Sequence, residues 1–288
     1  TPYMAMEYID ALPLNFLLKQ KGKLSWQEAL TITAQVAAAL ACTHEQGIIH
    51  RDIKPSNILV DQKLSVHVTD FGIARVLDAE TRMTAEQDTI GTPCYMSPEQ
   101  CGVAEAQPAS DLFSLGVTLY EMISGKLPLY AETSMGMMNK IVSEPPPNIA
   151  DEVPDLPPLI PIFIDTLMAK KVDHRYTDAN QILEDLNEFR AGNPVSHLAL
   201  IRKKSGAEMT GYELDSEGFG GAVVPSAEQD ILPAGTAQAL VGDLMEVPEK
   251  KVSARALYEE KPPLLSYCPS WATWVLGGIV AIITAGYL

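Results

Sequence analysis

The sequence predicts an α+β fold that is mostly helical with short β-hairpins, followed by a flexible linker and a single transmembrane helix. Three observations predict this organisation. Residues 1–192 combine helical apolar periodicity with regular turn signals. Residues 193–265 are rich in Gly, Ala, Ser, Glu and Pro and show little periodicity, and residues 266–288 contain no charged side chain. The 288 residues therefore divide into a globular unit, a linker and a membrane span.

Composition and charge limit the class of function. Hydrophobic residues make up 47% of the chain and charged residues 20%, which is typical of a globular protein. The 37 acidic residues exceed the 21 basic ones and give a formal net charge of -16. Because an acidic chain repels phosphate backbones, we expect no nucleic-acid partner. The four cysteines are scattered and form no CxxC pair, so we expect no disulfide framework.

Three helices of the globular unit can be placed from their caps and their apolar spacing. The segment Ser25–Glu28 has the spacing of a capping box, and the helix that follows is predicted to end near Gly47. A second helix opens at Ser110 and ends at Gly125, and because it is apolar on nearly all sides it should be buried. A third helix is predicted after a Thr177 cap. Short strands are predicted at Tyr3–Tyr8, Asn57–Val60 and Ser65–Thr69.

The final segment, Trp271–Leu288, reads WATWVLGGIVAIITAGYL. At about 1.5 Å per residue it would span roughly 27 Å, close to one hydrocarbon core. A buried core helix is the alternative, but such a helix normally carries a polar stripe. Basic residues between positions 250 and 261 precede this segment, so we expect a single-pass plasma-membrane protein whose globular unit is cytoplasmic. Since Thr1 opens the chain and Leu288 ends inside or at the end of the span, we expect a piece of a longer protein.

The densest chemical signal is His50-Arg51-Asp52-Ile53-Lys54-Pro55-Ser56-Asn57, followed thirteen residues later by Asp70-Phe71-Gly72. A carboxylate at Asp52 beside the ammonium of Lys54 suits a site that accepts a hydroxyl proton while a phosphate is held nearby. Asn57 and Asp70 supply oxygen ligands of the type that Mg²⁺ prefers. Gly72 lets the chain turn where a side chain would clash. The pattern therefore favours phosphate chemistry assisted by a divalent cation.

Together with Ser97-Pro98-Glu99, these motifs resemble the C-terminal lobe of a eukaryotic-like bacterial Ser/Thr protein kinase over about residues 1–190. A lysine two residues after the aspartate is typical of Ser/Thr rather than Tyr kinases, and the linker and span resemble the one-pass receptor-like type. The resemblance implies a protein-kinase-like fold and transfer of the γ-phosphate of ATP to Ser/Thr hydroxyls of protein substrates. The family's Gly-rich loop and strand lysine are not found. We therefore expect the chain, as hinge and C-lobe only, to be weakly active or inactive.

The resemblance also implies roles for individual residues. Asp52 would be the catalytic base, Lys54 would contact the γ-phosphate, and Thr92 would bond to both. Asn57 and Asp70 would hold Mg²⁺ or Mn²⁺. The rest of the ATP site would comprise Met6 as gatekeeper, the backbone of Glu7 and Ile9, and Leu59 as an apolar floor beneath adenine. Structural roles would fall to His50, Arg51, Phe71, Gly72, Glu99, Asp111 and Arg175, with Glu99 paired to Arg175 and Asp111 bonded to the backbone of His50 and Arg51.

Regulation and alternative functions are also predicted. The candidate phosphorylation sites are Thr81, Thr84 and Thr89. A phosphate there would pair with Arg51, and a homodimer would allow phosphorylation in trans. One alternative is a non-catalytic, membrane-tethered kinase-like interaction module. Another is a small-molecule phosphotransferase, which the segment GTPCYMSPE disfavours because it resembles the peptide-docking loop of protein kinases.

Overall fold

Helices dominate residues 7–71, 93–102 and 104–206, which are the residues that the computed structural model of the protein describes. The helices are α1 (Leu14–Lys21), α2 (Trp26–His44), α3 (Pro98–Cys101), α4 (Pro108–Ser124), α5 (Ser134–Ser143), α6 (Ile149–Glu152), α7 (Leu159–Leu167), α8 (Ala179–Ala191) and α9 (Ser196–Ser205). The strands are β1 (Leu12–Pro13), β2 (Ile58–Val60) and β3 (Val66–Val68), and 3₁₀ turns occur at Pro55–Asn57 and Val172–His174. The predicted helical character with a small sheet is confirmed.

The three strands form one antiparallel sheet in the order β1-β2-β3. Leu59 pairs with Pro13 on one side and with His67 on the other. Because side chains alternate across a strand, Ile58 and Val60 face the core while Leu59 lies half-exposed on the opposite face. Two of the predicted strands are confirmed with shorter bounds.

The third predicted strand, Tyr3–Tyr8, is not confirmed. Glu7 and Tyr8 are not in a strand, and residues 3–6 lie outside the described residues. Among the described residues the first strand, β1, begins at Leu12 and pairs with a segment almost 50 residues later in the chain. A two-residue strand leaves too short a pattern to detect in a sequence.

Helix α2 begins with the predicted capping box. The amide of Glu28 donates to Oγ of Ser25 at 3.3 Å, and the amide of Ser25 donates to Oε2 of Glu28 at 2.8 Å. The helix ends at His44, and Gly47 lies three residues further, in the turn, with φ of 74°. Its buried face packs against α4 and α8. This packing places the end of α2, and the loop that follows it, against the core.

Helix α4 is the central buried helix, as predicted. It begins at Pro108, two residues before the predicted start, because proline is tolerated in the first turn of a helix. Gly125 ends it with φ of 75°. A Cβ at Gly116 would lie 2.7 Å from Cβ of Leu167, so the glycine permits the close crossing of α4 and α7. The helix thereby fixes Asp111, in its first turn, beneath the loop after α2.

The end of the globular unit differs from prediction in two places. The cap of α8 is Asp178, whose side chain accepts from the amide of Asn180, and not Thr177. Helix α9 lies where the sequence predicts flexible linker from residue 193, and Leu198 within it is fully buried. Helical packing in the described residues therefore continues for one helix past the predicted boundary at residue 192.

The later part of the predicted linker and the predicted span at 266–288 lie outside the described residues. Within the part of the chain that the structure describes, no helix combines the length and the apolar character needed to cross a bilayer. The predicted transmembrane helix therefore stays a prediction.

Candidate active site

The loop between α2 and β2 brings three predicted site residues into direct contact. Nζ of Lys54 lies 2.8 Å from Oδ2 of Asp52. The side-chain amide of Asn57 donates to the backbone carbonyl of Asp52 at 2.8 Å and to its Oδ2 at 3.0 Å. Asp52 and Lys54 are partly exposed while Asn57 is buried. A carboxylate that accepts these bonds is held in one orientation and still faces solvent, so a hydroxyl group can reach it.

Asp70 is brought beside Asn57 by backbone pairing. The amide of Thr69, the residue before Asp70, donates to the carbonyl of Asn57 at 2.9 Å. Asp70 has φ of 57° and is exposed. Few non-glycine residues adopt this left-handed conformation, and here it turns the chain sharply after β3. The turn therefore begins one residue after the backbone bond from Thr69 to Asn57.

These two residues fit a magnesium site in donor chemistry. The side-chain nitrogen of Asn57 donates to Asp52. Its Oδ1 accepts from the hydroxyl of Ser56 at 3.2 Å and has a second lone pair for a metal ion. Asp70 adds a carboxylate oxygen, and Mg²⁺ is commonly held by one or two such groups together with phosphate oxygens. Within residues 7–71, 93–102 and 104–206, this site included, no group of three or more His, Cys, Asp or Glu side chains could hold a metal ion.

His50 links the two halves of this site as a buried neutral imidazole. Its Nε2 lies 2.9 Å from the carbonyl oxygen of Thr69, and the amide of Asp52 donates to its Nδ1 at 3.3 Å. Since a carbonyl only accepts, the proton is on Nε2. Burial lowers the pKa of His50, although Asp111 and the carbonyl of Thr69 oppose the shift. The ring also lies 4.6 Å from that of Phe71. The described contacts of His50 are thus with backbone groups and a neighbouring ring, and its structural role stays a prediction.

Asp111 holds the backbone of the loop from below. Its carboxylate accepts from the amide of His50 at 2.8 Å and from the amide of Arg51 at 2.7 Å. Nε2 of His44, at the end of α2, lies 2.8 Å from the same carboxylate. Arg51 has φ of 68°, so the bonds of Asp111 stabilise a conformation that costs an ordinary residue about 1 kcal/mol or more.

The buried ion pair between Glu99 and Arg175 anchors α3 to the core. Nη1 and Nη2 of Arg175 donate to the two carboxylate oxygens of Glu99 at 2.8 and 2.9 Å. Ser110 adds a third bond to Glu99 at 2.7 Å. Burial raises the pKa of Glu99, but hydrogen bonds from Arg175 and Ser110 and the charge of Arg175 outweigh it and lower the pKa to about 2. The carboxylate is thus charged at neutral pH.

The remaining predicted residues are reported by position. Glu7 is exposed and Ile9 is half-buried near β1, and Leu59 presents its side chain on the half-exposed face of the sheet. Their contact with adenine stays a prediction. The predictions for Met6, Gly72, Thr81, Thr84, Thr89 and Thr92 lie outside the described residues.

Gln100 is a site residue that sequence reasoning missed. Its side-chain amide donates to the carbonyl of Arg51 at 2.9 Å, one residue before Asp52. The Ser97-x-x-Gln100 spacing of a capping box was visible in the sequence and would have located α3. The bond to Arg51 joins residues 49 positions apart, so only the tertiary structure reveals it.

Comparison with known proteins agrees with this geometry. Residues 1–186 match the family model described as protein kinase domain. The chain is 39% identical over 192 residues to the serine/threonine-protein kinase PknA of Mycobacterium tuberculosis (strain ATCC 25177 / H37Ra), covering 67% of this chain and 44% of that protein. It is 36% identical over 218 residues to the Probable serine/threonine-protein kinase PknB of Bifidobacterium longum (strain NCC 2705), covering 72% and 31%. The chain thus spans less than half the length of these relatives.

Proposed function

The chain belongs to the protein kinase domain family, and we propose that it carries the phosphoryl-transfer loop of a serine/threonine protein kinase. The observation that carries the proposal is that Lys54 and Asn57 both contact Asp52. Asp70 follows directly after Thr69, whose amide donates to the carbonyl of Asn57. The substrates are ATP and Ser or Thr hydroxyls of proteins. The family resemblance supports the choice of substrates, and the contacts support the assignment of roles.

Asp52 is the group that receives the substrate hydroxyl in this proposal. The hydroxyl oxygen attacks the γ-phosphorus, the bond from that phosphorus to the β–γ bridging oxygen breaks, and ADP leaves. The hydroxyl proton passes to the Asp52 carboxylate, which Asn57 and Lys54 hold in place. Lys54, which contacts Asp52, is the cation that stabilises the negative charge of the phosphoryl group during its transfer in this proposal.

The divalent cation is assigned to Asn57 and Asp70. When bound there, Mg²⁺ would neutralise negative charge on the phosphate groups during transfer. The nitrogen of the Asn57 side chain is bonded to Asp52, and its oxygen accepts one bond, from Ser56, which leaves a second lone pair for the cation. In the adenine site, the proposal places Leu59 under the base and the backbone of Glu7 and Ile9 at its edge. The half-exposed position of Leu59 supports this arrangement.

We also propose a location and a mode of regulation for the whole protein. The uncharged segment 266–288 supports a single-pass anchor in the plasma membrane, and the need for ATP supports a cytoplasmic kinase unit. The three threonines at positions 81, 84 and 89 support regulation by phosphorylation. Phosphorylation in trans within a homodimer is the proposed route.

The proposed activity is tested by Mg-ATP turnover on a generic basic protein. The 288-residue chain and the full open reading frame that contains it are assayed side by side, each with Asp52→Asn and with the exposed Asp155→Asn as matched control. We expect phosphoryl transfer by the full reading frame, and a loss of about 10²–10⁴-fold in Asp52→Asn, the range attributed to general acid–base catalysis. Equal loss in both variants, or no loss in either, would contradict the proposal. The alternative of a non-catalytic interaction module predicts no turnover by any of these proteins.

A further inference from the structure

Gln100 joins two segments of the site with both ends of its side-chain amide. The oxygen accepts from the amide of Ser97 at 3.0 Å and from the hydroxyl of Ser97 at 3.1 Å. The nitrogen donates to the carbonyl of Arg51 at 2.9 Å. Reversing the amide would set a donor against the N–H of Ser97 and an acceptor against the carbonyl of Arg51. Only the observed orientation satisfies all three bonds.

The bond from Gln100 acts on the peptide unit that carries Asp52. A peptide unit is planar, so the carbonyl of Arg51 and the amide of Asp52 rotate together. The carbonyl is held by Gln100, and the amide donates to Nδ1 of His50 at 3.3 Å. On the other side of Arg51, its own amide is held by Asp111 at 2.7 Å. Three side chains, those of Gln100, His50 and Asp111, therefore hold the left-handed backbone at Arg51, where φ is 68°.

We propose that Gln100 is a positioning residue for Asp52. It sets the plane of the peptide unit between residues 51 and 52, and with it the direction of the Asp52 side chain. The inference rests on the proposed function, in which Asp52 accepts the substrate hydroxyl proton. Gln100 sits next to Glu99, whose ion pair with Arg175 fixes α3 to the core. A displacement of α3 is therefore transmitted to the catalytic loop through the bond from Gln100 to the carbonyl of Arg51.

Two substitutions separate positioning from capping. Gln100→Glu keeps the oxygen that accepts from Ser97 but replaces the donor to Arg51 with a second acceptor. Gln100→Met removes both functions. The matched control is Gln181→Glu, because Gln181 also accepts from the backbone amide near the start of its own helix, that of Thr177, and bonds to nothing in the catalytic loop.

Hydrogen exchange on the 288-residue chain is the first measurement, followed by steady-state kinetics on the full reading frame. We expect exchange at the amides of Arg51 and Asp52 to rise about 10-fold in both Gln100 variants, as loss of one hydrogen bond predicts, and not in the control. In the kinetics we expect kcat to fall about 10-fold in both, with KM for ATP changed less than about 2-fold.

The outcomes are distinct. A rise in exchange in Gln100→Met alone would overturn the proposal, because it would assign Gln100 to the cap of α3. The same rise in the Gln181→Glu control would overturn it too, as would unchanged exchange in Gln100→Glu. If the unsubstituted protein shows no turnover, the proposed function fails, and the exchange result still decides whether Gln100 holds the peptide unit at Asp52.

Discussion

Two carboxylate–cation pairs, Asp52–Lys54 and Glu99–Arg175, have the same N···O distance of 2.8 Å but opposite surroundings. The side chains of Lys54 and Asp52 are 33% and 32% exposed, whereas those of Arg175 and Glu99 are 0% and 8% exposed. Solvent screens the first pair, so its members separate at little cost. The second pair is shielded from water, and breaking it leaves a buried charge.

The bonds around Arg175 show why that pair serves the scaffold. Beyond Glu99, its guanidinium donates to the backbone carbonyls of Ala109, Ala169 and Lys170 and lies 4.9 Å from the ring centre of Phe113. This network joins α3, α4 and the loop after α7. A catalytic pair has the opposite requirement, because its two side chains must separate from each other in order to contact the substrate. Solvent exposure, and not distance, therefore distinguishes the proposed catalytic pair from the buried pair.

The largest expected effect is on stability, from Arg175→Met. Methionine fills part of the space but leaves Glu99 buried without its cation, so the free energy of unfolding should fall by about 3–5 kcal/mol. Urea unfolding followed by circular dichroism measures it. The exposed Arg190→Met is the control and should change stability by no more than about 0.5 kcal/mol. A loss below about 1 kcal/mol at Arg175 would show that the pair is not a structural anchor.

The same replacement in the proposed catalytic pair, Lys54→Met, should lower kcat and leave stability nearly unchanged. Removing one electrostatic group at the transferred phosphoryl should lower kcat by about 10²–10³-fold. The free energy of unfolding should change by less than about 1 kcal/mol, because the pair with Asp52 is partly exposed. Mg-ATP turnover by the full reading frame and urea unfolding provide the two values. Comparable damage to stability at Lys54 and Arg175 would remove the contrast between the pairs.

A third prediction concerns pH and the buried pair. The pKa of Glu99 is lowered from 4.5 in the unfolded chain to about 2 in the folded protein. A lowered carboxyl pKa stabilises the folded state above the unfolded value, and the stabilisation is lost as pH falls from about 4.5 towards about 2. Stability measured across this range should decline less steeply in Glu99→Gln than in the unsubstituted chain. Parallel curves for the two proteins would be inconsistent with a charged Glu99 in the fold.

The smallest effect is expected from a surface pair, which sets the lower limit of the comparison. Nζ of Lys126 lies 2.7 Å from Oε2 of Glu152, with the two side chains 68% and 37% exposed. Lys126→Met should lower the free energy of unfolding by about 1 kcal/mol at most, and less in high salt. Urea unfolding at low and high salt measures it. A cost equal to that of Arg175→Met would mean that exposure does not rank these pairs.

Local patterns predicted the elements that carry their own signals. The capping box at Ser25 and the apolar run that ends at Gly125 located α2 and α4 because caps and periodicity act within a few residues. The cap of α8 was misplaced by one residue, since Thr177 and Asp178 both have suitable side chains. The catalytic-loop motif brought Asp52, Lys54 and Asn57 together because they are five residues apart at most.

Helix α9 shows what such patterns miss. Its sequence, SHLALIRKKS, lacks a cap of its own, and Leu198 is its one fully buried residue. The cap comes from Asp185 in α8, whose carboxylate accepts from the amides of His197 and Leu198 at 3.1 and 2.7 Å. A helix of ten residues is marginal in isolation, and packing with an external cap stabilises it. Sequence reasoning therefore assigned it to the linker.

What the sequence by itself determined is the chemistry of this protein: the types of reactive group, their order, and the helices and strands whose signals are local. The tertiary structure alone decided which charged groups are buried and which are exposed to solvent. It also decided which distant side chains bond to the loop between α2 and β2. Asp111, Gln100 and Arg175 act across 49 to 76 residues of chain. Contacts at that separation depend on how whole helices pack, because a hydrogen bond forms only where packing brings its donor and acceptor to about 3 Å.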